Sequence, residues 1–335
     1  MHKFLSFMKI FKKTEKRLLG FYKKHITCEQ YPMLTYINRK EWLNKGALGV
    51  VYMLHHIDEK KRNQIPTNED LKVTPLFLES IIIKYKEQGF SFISLDQLSD
   101  IISNNQKPTH PFIAFTIDDG YLDNYRNAFP IFVKHQIPFA IFISTDFIDK
   151  KAILWWDSIE ELILHNKEIK IPNKIYPCTS FQEKWDTFRI FREQIMQFNQ
   201  DDLKESLQQM FYNYNIDWLS PIKEKAMTWN QIKELSSHPL CTIGGHTVTH
   251  PVLNKLDEFR FRWEIEEGVK RIEKKTGLPV KHFAYPYGTT NEIGKREEYF
   301  IKDFNFRTVF AATGGCITKD NQHRTTFLPR VFLKQ

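Results

Sequence analysis

From residue 47 onward, short apolar runs alternate with stretches in which apolar residues recur every three or four positions. That pattern belongs to parallel strands with helices between them. Residues 47–54 predict a first strand, 90–95 a second, 111–117 a third and 138–143 a fourth. Leu76, Leu78, Ile81, Ile82 and Tyr85 mark a helix over 75–88, and Tyr125, Phe129, Ile131, Phe132 and Val133 mark another after the third strand. The period then breaks. Residues 150–225 are helix-like and rich in aromatics, with a strand signal only around 169–176, and read as an insertion packed on the main body. Alternation resumes at 242–244, 282–285 and 307–311, separated by amphipathic stretches at 258–275 and 291–304. Roughly seven strands arranged this way predict an irregular (β/α)7-type barrel. The domain spans 46–335, preceded by an arm over 1–45.

Charge separates the arm from the domain. The chain carries a formal +8, and residues 1–45 hold eleven Lys/Arg against three Asp/Glu, so all of the excess lies there and the remaining residues balance. A surface that tracks phosphates would spread its basic residues over the body, so a nucleic-acid partner is not expected. Within the arm, Phe4, Met8, Phe11, Leu18 and Tyr22 recur at helical spacing among lysines and arginines, a basic amphipathic helix. Residues 1–24 are thus suited to peripheral contact with an anionic membrane surface, or equally to packing on the domain. Charges recur too often for a secretory signal, and no apolar run approaches the about 18 residues that cross a bilayer. The expected location is cytoplasmic, peripheral on the inner membrane face if the arm binds lipid. Cys28, Cys178, Cys241 and Cys316 are too scattered for a zinc knuckle or a disulfide framework.

Working residues of α/β barrels gather at the C-terminal strand ends. Four strands here end in polar or special-backbone groups: Leu54-His55-His56, Thr116-Ile117-Asp118-Asp119-Gly120, Gly244-Gly245-His246-Thr247-Val248-Thr249-His250 and Phe283-Ala284-Tyr285-Pro286-Tyr287-Gly288. Adjacent Asp118 and Asp119 repel each other unless a cation relieves them. An Asp-Asp-Gly taken alone is more often a turn or a helix cap. His246 and His250 change that balance, because one helical turn would bring both imidazoles to one side, where they suit zinc. Asp119, His246 and His250 together make three protein ligands and leave a position open for water, as in hydrolytic sites.

These residues resemble the motifs of the polysaccharide deacetylases that share a NodB-type domain, carbohydrate esterase family 4. Thr116–Gly120 is similar to Thr-Phe-Asp-Asp-Gly with Ile117 for Phe, His246–His250 to His-Ser/Thr-x-x-His, and 283–288 stands where Arg-x-Pro-Tyr/Phe-Gly is expected. The resemblance covers about 47–332. It implies a metal-dependent hydrolase that removes an N-acetyl group from an amino sugar. Asp118 would be the base; Asp119, His246 and His250 would hold one divalent ion, zinc first, with cobalt, nickel or manganese as alternatives. The backbone N–H of Tyr287 would face the oxyanion.

Two departures need substitutes. Ala284 replaces the third-motif Arg that positions the base, and Leu328-Pro329-Arg330 replaces the terminal motif with its acidic His. Arg330, arriving on the last strand, is expected to pair with Asp118. His56 is the expected proton donor to the leaving amine, with His55 and His323 as alternatives. Trp155, Trp156, Tyr285 and Tyr287 are candidate substrate contacts, although tryptophans in an insertion more often anchor it to the core. Trp229, after Thr228, reads as the start of a capped helix. The variant third motif resembles the branch acting on envelope polysaccharides or lipid-linked glycans. A metal-dependent amidohydrolase on a small soluble amide, or a non-catalytic sugar-binding relative, are the competing functions.

Overall fold

Nine short parallel strands build the body: β1 (Gly49–Leu54), β2 (Ser91–Phe92), β3 (Phe112–Asp119), β4 (Phe139–Ile143), β5 (Cys241–Gly245), β6 (His282–Ala284), β7 (Thr308–Ala311), β8 (Leu328–Pro329) and β9 (Val331–Phe332). This computed structural model describes residues 47–335; the amphipathic helix expected over the arm and the His323 side chain lie outside the described residues. The hydrogen-bonded order is β8-β7-β6-β5-β4-β3-β1-β9. Only Arg330 separates β8, which pairs with β7, from β9, which pairs with β1. The sheet therefore nearly closes on itself through one chain segment, giving the irregular (β/α) barrel that the strand–helix alternation predicts.

The strand expected over 90–95 is shorter than its apolar run. Only Ser91 and Phe92 pair, beside β3 and off the ring. Ser94 then accepts from the Gln97 N–H in a reciprocal capping box and starts a helix at Leu95, which takes the chain out of the sheet. The last strand, on which Arg330 is expected, is two dipeptides, Leu328–Pro329 and Val331–Phe332, split by that arginine.

Pleating sorts each stave into two faces. Val50, Tyr52 and Leu54 of β1, Ile113, Phe115 and Ile117 of β3, and Phe139, Ile141 and Ile143 of β4 share one buried cluster with Leu78, Ile81, Ile82 and Tyr85 of helix α1 (Pro75–Glu87). The opposite face puts Val51, Ala114, Ala140, Phe142, Ala284, Phe310 and Leu328 into the barrel interior, with Leu95 and Leu98 of α2 (Leu95–Ser103). Continuing that interior register toward the C-terminal ends reaches Thr116 and Asp118 on β3, His55 after β1, and Arg330. One parity thus supplies both the packed interior and the polar groups at its mouth.

The insertion comprises α3 (Trp155–His165), a hairpin of Glu168–Ile171 with Lys174–Pro177, α4 (Phe181–Ile195) and α5 (Leu203–Met210). Its own core of Trp155, Ile159, Phe188, Phe191 and Phe211 also takes in Val252, and Tyr287 packs against it. This places the insertion over the loops that carry the site. Among the described residues no helix is long and apolar enough to cross a membrane.

His282, at the start of β6, is fully buried, with Nδ1 2.7 Å from Thr308 Oγ1 and Nε2 3.4 Å from Asp96 Oδ1. Burial lowers its pKa to about 4, against the opposing charge of Asp96. The unfolded chain takes up this proton near the ordinary 6.5, so between the two values it binds more protons than the folded one. Stability from neutral His282 is therefore full above about pH 6.5 and is lost as pH falls toward 4, by at most roughly 3 kcal/mol. His282→Asn is expected to flatten the decline of urea midpoints between pH 7 and pH 4.5; an unchanged slope would assign acid lability elsewhere.

Candidate metal and acid–base site

At the end of β3, Asp118 meets Arg330 in a forked pair: Nη1 donates to Oδ1 at 2.6 Å and Nη2 to Oδ2 at 2.7 Å. Both residues are almost fully buried, at 1% exposure for Arg330 and 2% for Asp118. Nη1 also donates to Thr116 Oγ1 at 3.1 Å, and that hydroxyl donates to Tyr52 O at 2.8 Å. The guanidinium lies over the Phe142 ring. Backbone bonds from Arg330 N to Ala311 O and from Gly314 N to Arg330 O hold the segment between staves. Burial would raise the Asp118 pKa, but the Arg330 charge and its forked hydrogen bonds outweigh it and keep the carboxyl below its ordinary range. Asp118 is an oriented, ionised carboxylate at neutral pH, which is what a general base requires.

The chain turns sharply after it. Asp119 has φ +78° and Gly120 φ +101°, where a Cβ would also stand 2.9 Å from Ile148 Cδ1. The turn brings Asp119 Oδ1 to 3.4 Å from His246 Nε2 and 3.3 Å from His250 Nε2. The two histidines do not sit on a helical turn, as their spacing suggests. Residues 246–250 form a loop with left-handed Thr247 (φ +70°) and His250 (φ +61°). Thr247 Oγ1 accepts from His250 N at 3.1 Å and donates to His246 O, while Ser144 Oγ donates to the same carbonyl at 2.6 Å. The loop thereby does what a helix would have done, with ring centroids 5.0 Å apart.

These three side chains fit a divalent ion. Ligand atoms about 2.0–2.1 Å from a tetrahedral centre stand about 3.3–3.4 Å apart, matching both Asp–His separations. Asp119 Oδ1 and His250 Nδ1 are buried without a hydrogen-bond partner. His246 Nδ1 is 2.7 Å from the Ala284 carbonyl, which can only accept, so the proton belongs on Nδ1 and the lone pair on Nε2 points to Asp119.

Aromatic rings cover the cluster. Tyr287, left-handed at φ +58° in the Pro286-Tyr287-Gly288 turn, packs edge-on to His250 at 4.8 Å between centroids, and Trp156 does so at 5.7 Å. Trp155 is buried in the insertion core, and its Nε1 donates to Tyr287 Oη at 3.3 Å. Tyr285 does not face the site: it has the outward register of Phe283, lies in the cluster with Phe261 and Phe327, and donates its hydroxyl to Thr326 O. Trp229 begins a helix (Trp229–Ser237) capped by Thr228, and its Nε1 donates to Asp149.

The two candidate proton donors divide by pleat. His56 lies off the interior register, its Nδ1 2.7 Å from Asp123 Oδ2 and its ring against Tyr121 at 3.8 Å. His55 has the interior register, and its Nδ1 is buried and unpartnered. Burial lowers the His55 pKa, against the raising charges of Asp119 and Asp118. Sequence reasoning also missed Glu264, which bonds to the 246–250 loop. Its signal was a carboxylate within the apolar stripe of Phe261, Ile265, Gly268 and Ile272.

The family model for polysaccharide deacetylases matches residues 105–299, more than half of the chain and all of the ligand cluster. The chain belongs to the polysaccharide deacetylase family. A Bacillus subtilis (strain 168) protein, YxkH, provisionally named a polysaccharide deacetylase, is 25% identical over 126 residues, 38% of this chain and 42% of that protein. The match thus spans less than half the length of that relative. Among solved structures, the Streptococcus pyogenes deacetylase PplD in complex with acetate superposes with a TM-score of 0.58 at 16% identity, over 85% of this chain and 92% of that one. IcaB from Ammonifex degensii gives 0.53 at 20% identity, over 86% and 92%. At these identities the superpositions show a shared fold. In this family member Ala284 stands ahead of the Pro286-Tyr287-Gly288 turn, and the bidentate partner of Asp118 is Arg330 on the last stave.

Proposed function

We propose that this chain is a divalent-metal-dependent N-deacetylase acting on an amino sugar of an envelope polysaccharide or a lipid-linked glycan, with zinc the first choice of metal. The observation that carries the reading is an Asp-His-His cluster sharing one buried point beside an ionised, arginine-held carboxylate. An ion bound there would supply Lewis acidity toward the acetyl carbonyl and make water easier to deprotonate. Asp118 accepts the proton of the attacking water as its oxygen bonds to the carbonyl carbon. Arg330 fixes both carboxylate oxygens, so the base keeps one orientation. The Tyr287 N–H, in the left-handed Pro286-Tyr287-Gly288 turn, donates to the developing oxyanion. When the C–N bond breaks, the amine takes a proton, and His55 is the group whose register and free Nδ1 suit its delivery. Trp156 and Tyr287 wall the acetyl end of the substrate. The basic arm, residues 1–24, fits a peripheral contact at a membrane bearing such a glycan, on the cytoplasmic face.

Incubation of zinc-loaded protein with N-acetylated amino-sugar polymers, with sugar-lipids, and with small soluble acetamides tests the reading. Free amine should form on the sugars. Turnover confined to small amides would replace the substrate class, and no product from any amide despite bound metal would defeat the enzyme reading. His55→Ala is expected to lower kcat about 10²-fold, the lower end for loss of a general acid, while His56→Ala changes it little. The reverse order would return the donor role to His56.

A further inference from the structure

The loop carrying both histidine ligands has an unusual conformation, and one buried carboxylate holds it. Glu264 lies on α6 (Glu258–Thr276) and is 0% exposed. Its Oε2 accepts from Val248 N at 2.8 Å and Thr249 N at 2.9 Å, and its Oε1 accepts from Thr249 Oγ1 at 2.6 Å. Arg260 Nη2, one turn earlier, stands 2.9 Å from the same Oε1. One turn later Gly268 lets the helix lie directly under the loop: a Cβ there would sit 3.2 Å from both C and O of Thr247.

Val248 and Thr249 lie between the left-handed Thr247 and His250, so the segment offers its N–H groups in one direction and no regular element uses them. Buried N–H groups demand acceptors. A carboxylate with four lone-pair directions can satisfy two N–H groups, a hydroxyl and a guanidinium at once, which a neutral amide cannot do fully. The hydrogen-bond pattern thereby selects the backbone that aims His250 Nε2 at Asp119.

We propose that Glu264 is a positioning residue for the metal site: it fixes the 246–250 loop in the backbone that lets His246 and His250 converge on Asp119. The inference rests on the reading of Asp119, His246 and His250 as ligands. Its effect should be on metal affinity, because a relaxed loop must be reordered each time an ion binds. Partners one step beyond the ligands typically contribute roughly 10- to 100-fold to metal affinity.

The test measures zinc affinity by competition with a chromophoric chelator, beside the thermal midpoint of the metal-free protein. The proteins are wild type, Glu264→Ala, Glu264→Gln, Thr249→Val and Glu273→Ala. Glu273 is the comparison, since its Oε1 accepts from Val280 N at 3.0 Å on the same helix away from the site. Glu264→Ala should weaken zinc by at least about 10-fold, Glu264→Gln should restore part of that, and Glu273→Ala should lower the midpoint without moving zinc affinity. Thr249→Val removes only one of the four contacts and should weaken zinc by a few-fold, which keeps the test decisive if Glu264→Ala does not fold. Wild-type zinc affinity in the folded Glu264 variants, or an equal loss in Glu273→Ala, would overturn the positioning role alone. Failure of the wild type to bind zinc would overturn the ligand assignment and the inference with it.

Discussion

Asp118→Asn is expected to lower kcat for acetate release by about 10²- to 10⁴-fold, the range for removing a general base, while leaving zinc content at the wild-type level. The substitution keeps the shape of the side chain and one acceptor for Arg330, but a neutral amide cannot take a proton from water. The separation of the two effects follows from geometry: Asp119, not Asp118, is the carboxylate whose oxygen stands 3.3–3.4 Å from both imidazoles. Rates measured on protein of known metal content check both halves. Turnover within a few-fold of wild type would remove Asp118 from proton transfer, and loss of zinc in parallel with activity would make it a ligand.

Arg330→Ala is expected to cost about 3–5 kcal/mol of stability, because it leaves a buried carboxylate uncompensated. It should also change the pH profile. In the wild type, burial acts to raise the Asp118 pKa, and the Arg330 guanidinium overcomes it and keeps the carboxyl ionised to below the ordinary carboxylate range. Acid therefore removes its contribution only as pH falls through that depressed pKa. Without the guanidinium, burial acts against less opposition, the Asp118 pKa rises, and the acid limb of kcat/KM moves toward neutral pH. Arg330→Lys restores a charge but not the fork, so it should recover stability more than rate. Urea unfolding and a pH–rate series are the measurements. An unshifted acid limb in folded Arg330→Ala would show that Arg330 packs the barrel without tuning the base.

Much of this site is written in the order of residues, because strand ends and pleating are one-dimensional features. Interior parity runs unbroken through Phe112, Ala114, Thr116 and Asp118 on β3, and it alone separates inward His55 from His56. Choosing between those histidines needed the strand's exact register, which an apolar run such as 47–54 does not reveal. Arg330 could be expected from what was lacking, since Asp118 without the third-motif arginine needs a cation. Its bidentate geometry depends on β8 and β9 bridging the barrel's two edges, a closure with no local sequence signal. Tyr285 was misplaced because proximity to the Pro286-Tyr287-Gly288 turn outweighed the pleat that turns it outward beside Phe283. The 246–250 loop is the converse case. Its spacing suggested the right neighbours through the wrong local structure, because left-handed Thr247 and His250 are stabilised by Glu264 from a distant helix. Long-range hydrogen bonds of this kind leave only an indirect trace, a charged residue on an apolar stripe.

Acetate release by metal-stripped protein, titrated with zinc on an N-acetylated amino-sugar oligomer, tests the central claim most directly. Rate should rise in proportion to zinc, break at one equivalent per chain, and return to background in His250→Ala at the same zinc concentration. Full activity in the stripped protein, or a zinc-dependent rate that His250→Ala leaves intact, would contradict the assignment of Asp119, His246 and His250 as the ligands of a single catalytic ion.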